Sequence, residues 1–272
     1  MNKLITVLFS VYNNDNPNHL RLSLDSMLNQ TYNDVMVLVG VDGPVNNQLR
    51  KTLTEYENNT NISIFWFEEN RGLAAVLNNL LTKSSSLGAS FIARMDADDI
   101  AKLDRFEKQV KFLEDNPTID VVGGAIEEIN YSGELIDKVI NYPLTHVECY
   151  NFFAYRNPLA HPAVMFRPSF FEKVSSYNTS YKKNQDTELW LRAFKSECLF
   201  ANIPDIILSF RVSDDMYKRR GGNIFAKEVL KLRLEINKEL GYGIKADIFG
   251  YCYYLMAISP SFVKKVAYKL LR

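Results

Sequence analysis

Three carboxylates in four residues form the sharpest chemical signal in this 272-residue sequence: Asp96-Ala97-Asp98-Asp99. Carboxylates at i and i+2 at a strand end can converge on one hard cation. Mg²⁺ and Mn²⁺ take oxygen ligands and commonly share the site with substrate phosphates. The competing role is helix capping, in which aspartate accepts backbone N–H bonds and favours the helix dipole. A second acid, Asp186, opens the run Gln185-Asp186-Thr187-Glu188-Leu189-Trp190. Asp186 and Trp190 stand at i and i+4 and share a helix face. A carboxylate beside an indole suits a sugar hydroxyl and the apolar face of its ring, and Asp186 could then serve as general base; the alternative is an ordinary acid in a first helical turn. Neither a GxGxxG after the first strand nor a GxxxxGK[ST] is present. A phosphate here would be held by metal and arginines instead of a glycine cradle. Arg211, Arg219 and Arg220 are the arginines for that role, the last two followed by Gly221-Gly222. Guanidinium groups pair with phosphate in bidentate fashion, although the same segment also reads as a solvated basic loop. His161 precedes Pro162 before a short apolar run and is a further, weaker ligand candidate.

The elements that must position these groups are visible as periodicity. Ile5–Val11, Val35–Val41, Ile62–Phe67 and Phe91–Met95 are short runs rich in Val, Ile and Phe, as buried parallel strands are. Between them, Leu20, Leu24, Met27 and Leu28, then Leu73, Val76, Leu77, Leu80 and Leu81, fall on single helical faces. Strand, helix, strand at this spacing predicts βαβ units in a doubly wound, mostly parallel sheet. Such sheets bind ligands at the carboxyl ends of their strands. The four runs end in Tyr12-Asn13, Asp42-Gly43-Pro44, Asn70-Arg71-Gly72 and Asp96-Ala97-Asp98-Asp99, so all the unusual polar clusters of this half land on one rim. Further on, helices are expected over Arg105–Glu114, Asp186–Lys195 and Asn223–Leu240. Strands are expected over Val121–Ile129, Pro162–Phe166 and Ile206–Phe210, with a turn at Tyr131-Ser132-Gly133-Glu134.

Composition sets outer limits. Hydrophobic residues make up 47% and charged residues 24%, an ordinary globular balance that excludes disorder and collagen-like repeats. Formal net charge is zero, which argues against a generic nucleic-acid binder. Cys149, Cys198 and Cys252 are odd in number, far apart and form no CxxC; with only three histidines, neither a disulfide framework nor a zinc site is encoded. The expected compartment is reducing, hence cytoplasmic. Leu4 to Val11 reads as a buried strand in preference to a leader segment, and no apolar run approaches the roughly 20 residues of a bilayer span. Charge is uneven: Lys218 to Arg272 holds 12 basic and 4 acidic residues, leaving 20 and 28 in residues 1–217. An acidic body suits a divalent metal, and a basic tail suits phosphate or an anionic membrane surface.

The motif set resembles a known family. Ser10-Val11-Tyr12-Asn13, Asp42-Gly43, Asn70-Arg71-Gly72-Leu73-Ala74, Arg94-Met95-Asp96-Ala97-Asp98-Asp99 and Gln185-Asp186 fall in the order and spacing of family 2 glycosyltransferases, inverting enzymes of the GT-A fold. The resemblance covers residues 3–220. Arg105-Phe106-Glu107-Lys108-Gln109 and Tyr217-Lys218-Arg219-Arg220-Gly221-Gly222 are similar to the branch that builds bacterial O-antigen, capsule and exopolysaccharide, including the amylovoran type. By position, the resemblance implies that Val11, Tyr12 and Asp42 contact uracil, with Asn13 beside them. Asn70 and Arg71 would flank the nucleotide, and Arg94 and Asp96 would hold ribose or diphosphate. Asp98 would be the main metal ligand, with Asp96, for Mn²⁺ or Mg²⁺. Asp186 would be the catalytic base, with Trp190 and His161 lining the acceptor or sugar pocket. Two departures stand out: Val41-Asp42-Gly43-Pro44 replaces a common Asp-Asp-Gly-Ser, and Gln185 replaces the usual Glu.

The expected organisation is a GT-A domain over 1–222, with a nucleotide-sugar half (1–99) and an acceptor half (100–222), and a C-terminal helical extension over 223–272. In that extension, residues 248–258 are apolar, and after Pro260 apolar residues alternate with Lys264, Lys265, Lys269 and Arg272. A basic amphipathic helix of this kind suits an anionic membrane, or equally the body or a dimer interface. The implied donor is a UDP-sugar, galactose first. The implied acceptor is a saccharide on polyprenyl diphosphate at the inner membrane. Two other readings are a sugar nucleotidyltransferase, which lacks its glycine-rich loop here, and an inactive nucleotide-sugar-binding protein.

Overall fold

The four apolar runs of the first hundred residues become four strands lying side by side. The computed structural model describes residues 3–212 and 222–259. In chain order these form β1 (Ile5–Val11), α1 (Pro17–Leu28), β2 (Val35–Val41), α2 (Asn47–Thr54), β3 (Ile62–Trp66), α3 (Leu73–Ser86), β4 (Phe91–Asp96), β5 (Ile100–Ala101) and α4 (Arg105–Asp115). Then come β6 (Val121–Ile129), β7 (Leu135–Ile140), α5 (His146–Phe153), a 3₁₀ turn (His161–Ala163), β8 (Met165–Phe166), α6 (Pro168–Val174), α7 (Gln185–Lys195) and β9 (Phe200–Arg211). Two helices follow, α8 (Asn223–Glu239) and α9 (Ile244–Ile258). Arg219 and Arg220, and the basic segment after Pro260, lie outside the described residues.

Nine strands make one sheet in the order β3-β2-β1-β4-β8-β6-β9-β5, with β7 pairing β6. The first four are parallel. The sheet continues through β8, antiparallel to β4 and β6, and β9 returns parallel to β6. Register brings the strand ends level: Val11 faces Val41, and Ser10 faces Asp96. The loops that begin at Tyr12, Asp42 and Ala97 therefore leave the sheet side by side.

Alternation along each strand divides the interior in two. Val7, Phe9 and Val11 of β1 join Leu20, Leu24 and Met27 of α1 and Phe106, Val110 and Leu113 of α4 on one face. Leu8 points the other way, with Val76, Leu77 and Leu80 of α3, Phe153 of α5, Trp190 of α7, and Leu232 and Ile236 of α8. Helices on both faces meet the doubly wound expectation. Because α8 supplies residues to the second core, it is seated on the same body as the sheet. In turn, α9 lies on α8, where Gly250 faces the side chains of Leu230 and Arg233, and Asn237 Nδ2 donates to Asp247 Oδ1 at 2.8 Å.

Two strand expectations are changed by proline. Pro162 has no N–H for a ladder and a fixed φ, so His161–Ala163 is a 3₁₀ turn and only Met165–Phe166 pairs. The strand expected over Ile206–Phe210 begins earlier, at Phe200, and absorbs Pro204 where its register with β6 shifts between Gly124 and Ile126. None of the described helices is long and apolar enough to cross a membrane.

Candidate active site

The rim at the ends of β1, β2 and β4 is built by side chains that bond across loops. Asp42, buried at the end of β2, accepts the backbone N–H of Arg71 on Oδ1 (2.8 Å) and that of Gly72 on Oδ2 (3.0 Å). The Asn70 amide donates to the Asp42 carbonyl at 3.2 Å. One carboxylate thus fixes the segment that opens α3. The approach depends on Gly43, whose φ is +79°, and a Cβ there would stand 2.6 Å from the Asn70 nitrogen. Asn13 ties the β1 loop to the start of α2. Its Oδ1 accepts Asn46 N–H at 2.9 Å and its carbonyl accepts the Asn46 amide at 3.2 Å. Val11 is buried, Tyr12 is partly exposed and donates its N–H to Asp15 at 2.8 Å, and Arg71 is exposed. Of the residues expected around a nucleotide, Tyr12, Asn13, Asn70 and Arg71 keep solvent-facing surface, while Asp42 and Val11 act from beneath.

Asp96, Asp98 and Asp99 come together, each offering a carboxylate oxygen within 4.8 Å of the others. Asp99 is fully buried. Its Oδ1 accepts the Arg211 N–H at 2.8 Å, and its Oδ2 is buried without a hydrogen-bond partner. Burial, then Asp98 and Asp96, push the Asp99 carboxyl well above the usual range. An orphaned buried carboxylate oxygen within an all-oxygen donor set fits a hard divalent cation, whose charge would relieve the crowding. Arg94, buried on β4, forms an ion pair with Asp96, while its Nε and Nη1 are buried and unpartnered. Arg105 lies beneath, bonding the Arg94 carbonyl at 2.9 Å. Burial pulls its pKa down to about 9, with Asp99 opposing and Arg94 adding to the fall. Arg211, expected to hold phosphate, is committed elsewhere. It donates to the carbonyls of Asp98 (2.8 Å), Asn130 and Tyr131 (2.9 Å each) and braces the acidic loop against β9.

The second acid stands at the start of α7, where Asn184 (φ 59°) turns the chain into the helix. Asp186 is partly exposed, and its Oδ2 accepts the Asn157 amide at 2.8 Å. Tyr177 stands within electrostatic reach of both Arg94 and Asp186. Its phenol is buried, and burial raises its pKa, with Arg94 opposing and Asp186 adding to the rise. Asn78 of α3 clamps Tyr177 by both backbone groups, its Nδ2 donating to the carbonyl (2.9 Å) and its Oδ1 accepting the N–H (2.8 Å). Helix α3 therefore grips the segment leading to Asp186.

Trp190 and His161 depart from expectation. Trp190 is fully buried among His161, Phe166, Phe170 and Phe200, so its ring has no face open to a sugar. It does share the helical face of Asp186, but one turn deeper, where that face has entered the core. His161 is buried too, with Nε2 2.9 Å from the Tyr177 hydroxyl. Burial, then Arg94, lowers its pKa well below the usual value and keeps the ring neutral. The sequence reading missed Tyr177, Asn78, Asn157 and Arg233. The asparagines carry no local signal, whereas the Asp99 side of the cluster was visible as the third acid of the run.

Known proteins supply the frame for this geometry. The model of glycosyl transferase family 2 matches residues 6–178. The amylovoran biosynthesis glycosyltransferase AmsE of Erwinia amylovora is 32% identical over 255 residues, 93% of this chain and 92% of that protein. The UDP-Gal:alpha-D-GlcNAc-diphosphoundecaprenol beta-1,3-galactosyltransferase of Escherichia coli is 29% identical, covering 83% of this chain and 80% of that one. Among solved structures, the mannosyltransferase PcManGT of Pyrobaculum calidifontis with GDP-Man and Mn²⁺ aligns at TM-score 0.64 and 14% identity, over 99% of this chain and 79% of its own. TarS 1-349 of S. aureus with UDP aligns at 0.63 and 17%, over 87% and 69%. The mixed α/β sheet with its parallel donor half is the GT-A fold, and the chain belongs to glycosyl transferase family 2.

Proposed function

We propose that this glycosyltransferase moves a hexose, galactose first, from a UDP-sugar to a hydroxyl of a lipid-diphosphate-linked saccharide in surface-polysaccharide assembly, inverting the anomeric centre. The observation that carries this reading is the gathering of Asp96, Asp98 and Asp99 at the rim, with a separate acid, Asp186, held by Asn157 at the start of α7. One suits a metal diphosphate and the other a hydroxyl. The relatives named for amylovoran and for a diphosphoundecaprenol-linked acceptor support the substrate classes.

In this reading Val11, Tyr12, Asn13 and Asp42 form the uracil end of the site, with Asn70 and Arg71 beside it. Arg94 orients Asp96. Asp98 and Asp96 would hold a divalent cation, which would supply positive charge against the departing diphosphate. Asp186 takes the proton of the acceptor hydroxyl while that oxygen bonds to the anomeric carbon and the carbon–phosphate oxygen bond breaks from the opposite face. One displacement turns an α-linked donor into a β-glycoside.

Access for a lipid-linked acceptor is supported by the surface around α5 and α9. Tyr155, two residues from Asn157, packs on Phe249 of α9 and lines an open concavity of about 460 Å³ with Tyr242, Ile244 and Ala246. Along α9, Ile244, Ile248, Tyr251, Leu255 and Ile258 form one exposed apolar stripe. The sequence beyond it carries Lys264, Lys265, Lys269 and Arg272 and no acid. Such a surface suits the cytoplasmic face of an anionic membrane.

The deciding experiment measures UDP release across a panel of UDP-, GDP- and dTDP-sugars, with Mn²⁺ or with EDTA. The acceptor is a short-chain lipid analogue of GlcNAc diphosphate. Metal-dependent release from a UDP-sugar is expected. Asp186→Asn should lower kcat by about 100- to 10,000-fold while the enzyme still binds UDP. Near-normal transfer by Asp186→Asn would remove Asp186 from the role of base.

A further inference from the structure

Asp186 is held by Asn157 and, at 3.5 Å, by the Thr187 hydroxyl, and Asn157 is held in turn from the C-terminal helix. Asn157 Nδ2 donates to Asp186 Oδ2 at 2.8 Å. At the other end of the same amide, Asn157 Oδ1 accepts from Arg233 Nη2 of α8 at 3.3 Å. The Thr187 hydroxyl lies 2.9 Å from Nδ2 and 3.1 Å from Oδ1 of Asn157. Arg233 Nη1 donates to the Phe153 carbonyl at 2.8 Å, and its guanidinium stacks 5.4 Å from the Phe153 ring. This anchors the cation at the end of α5. Burial draws the Arg233 pKa down to about 10, with Asp186 opposing.

An asparagine amide has a donor end and an acceptor end, and a guanidinium has only donors. Beside Arg233 the amide must present its oxygen. Its NH₂ must then face Asp186 and donate to the carboxyl oxygen. A half-buried cation with no carboxylate in contact among the described residues is costly. Here it reaches its counter-charge through an amide.

We infer that Asn157 and Arg233 are positioning residues for Asp186, a relay through which the C-terminal helix α8 sets the orientation of the catalytic carboxylate. This rests on the reading of Asp186 as base. Asp186 alone touches the acceptor hydroxyl; Arg233 acts through Asn157. Helix α8 is thereby part of the active site, and truncation before residue 223 would remove part of the base's support.

The test uses the full chain with UDP-galactose and the GlcNAc-diphosphate lipid analogue as probes. Asn157→Ala and Arg233→Met are expected to lower kcat about 10- to 100-fold, with the KM for UDP-galactose within about twofold of wild type. Arg233→Lys, which can still donate one bond to Asn157, should recover part of kcat. In the double variant, Arg233→Met should add nothing to Asn157→Ala, whereas independent structural effects would multiply. A substrate-free readout accompanies these. The Asn157 side-chain amide, assigned by its loss from the ¹⁵N–¹H spectrum of Asn157→Ala, should shift in both Asp186→Asn and Arg233→Met. An unmoved amide in Arg233→Met, or multiplicative losses in the double variant, would overturn the relay. Loss of activity in Asp186→Asn with full activity in Asn157→Ala would refute the relay and leave the base reading standing. Full activity in Asp186→Asn would refute the base reading itself.

Discussion

Replacing Asp42 with asparagine keeps the shape of the side chain and changes only its bonding capacity. The carboxylate accepts two backbone N–H groups, from Arg71 at 2.8 Å and Gly72 at 3.0 Å, in a site that is 4% exposed. An amide keeps one of these as a neutral bond, and its NH₂ then points at the other N–H. The first change costs about 1 kcal/mol, and the second strands a buried donor at about 1–3 kcal/mol. The sum is about 2–4 kcal/mol, or a fall in Tm of roughly 4–16 °C. The released segment includes Asn70 and Arg71, so UDP affinity should weaken as well. Urea unfolding of Asp42→Asn beside wild type gives the stability change, and calorimetric titration with UDP and Mn²⁺ gives the affinity. A stability change under about 0.5 kcal/mol, the scale of an ordinary surface substitution, would refute the view that Asp42 fixes the segment opening α3.

Other substitutions probe other parts of the fold. Trp190→Ala should cost about 3–5 kcal/mol in urea unfolding, because the fully buried ring leaves a cavity; a sugar-facing tryptophan would instead lose transfer at unchanged stability. His161 is neutral when folded, its pKa lowered by burial and then by Arg94 from the ordinary 6.5. The unfolded chain therefore binds the proton more readily, and this contribution to stability is full above about pH 6.5 and is lost as pH falls below it. Urea midpoints should drop on acidification, less steeply in His161→Gln, with His19 and His146 giving the same sign in the remaining slope. Ile248→Glu with Leu255→Glu, both exposed on α9, should reduce sedimentation with phosphatidylglycerol vesicles and leave UDP binding unchanged. Equal sedimentation would remove α9 from membrane contact.

The parallel half of the sheet was legible because β1, β2 and β4 are buried on both faces and so read as apolar runs rich in Val, Ile and Phe. Loop residues then stand out against them, and Asp42 and Asp96 to Asp99 could be placed on one rim by counting alone. Helical spacing likewise put Trp190 on the face of Asp186. It gave direction around the axis but not depth along it, and depth decides that Trp190 is core. Arg211 looked like a phosphate ligand because nothing local shows that the carbonyls of Asp98, Asn130 and Tyr131 converge on it. Asn157 and Arg233 are 76 residues apart in sequence and meet only through the packing of α8. Helix α9 gave no amphipathic pattern, since its exposed stripe is as apolar as its packed side.

The grip of Asn78 on Tyr177 bears on how substrates come and go. Both backbone groups of Tyr177 are bonded to one asparagine of α3, so a hinge between donor and acceptor sides would have to break two hydrogen bonds and expose a buried phenol. The expected route for substrates is therefore exchange through the rim, with these two bonds kept. In deuterium-exchange experiments the two sides should keep a common level of protection with and without UDP, and ligand-dependent change should be confined to the loops after β1, β2 and β4. An Asn78→Ala variant would uncouple them, and its α3 and Tyr177 segments would exchange at different rates.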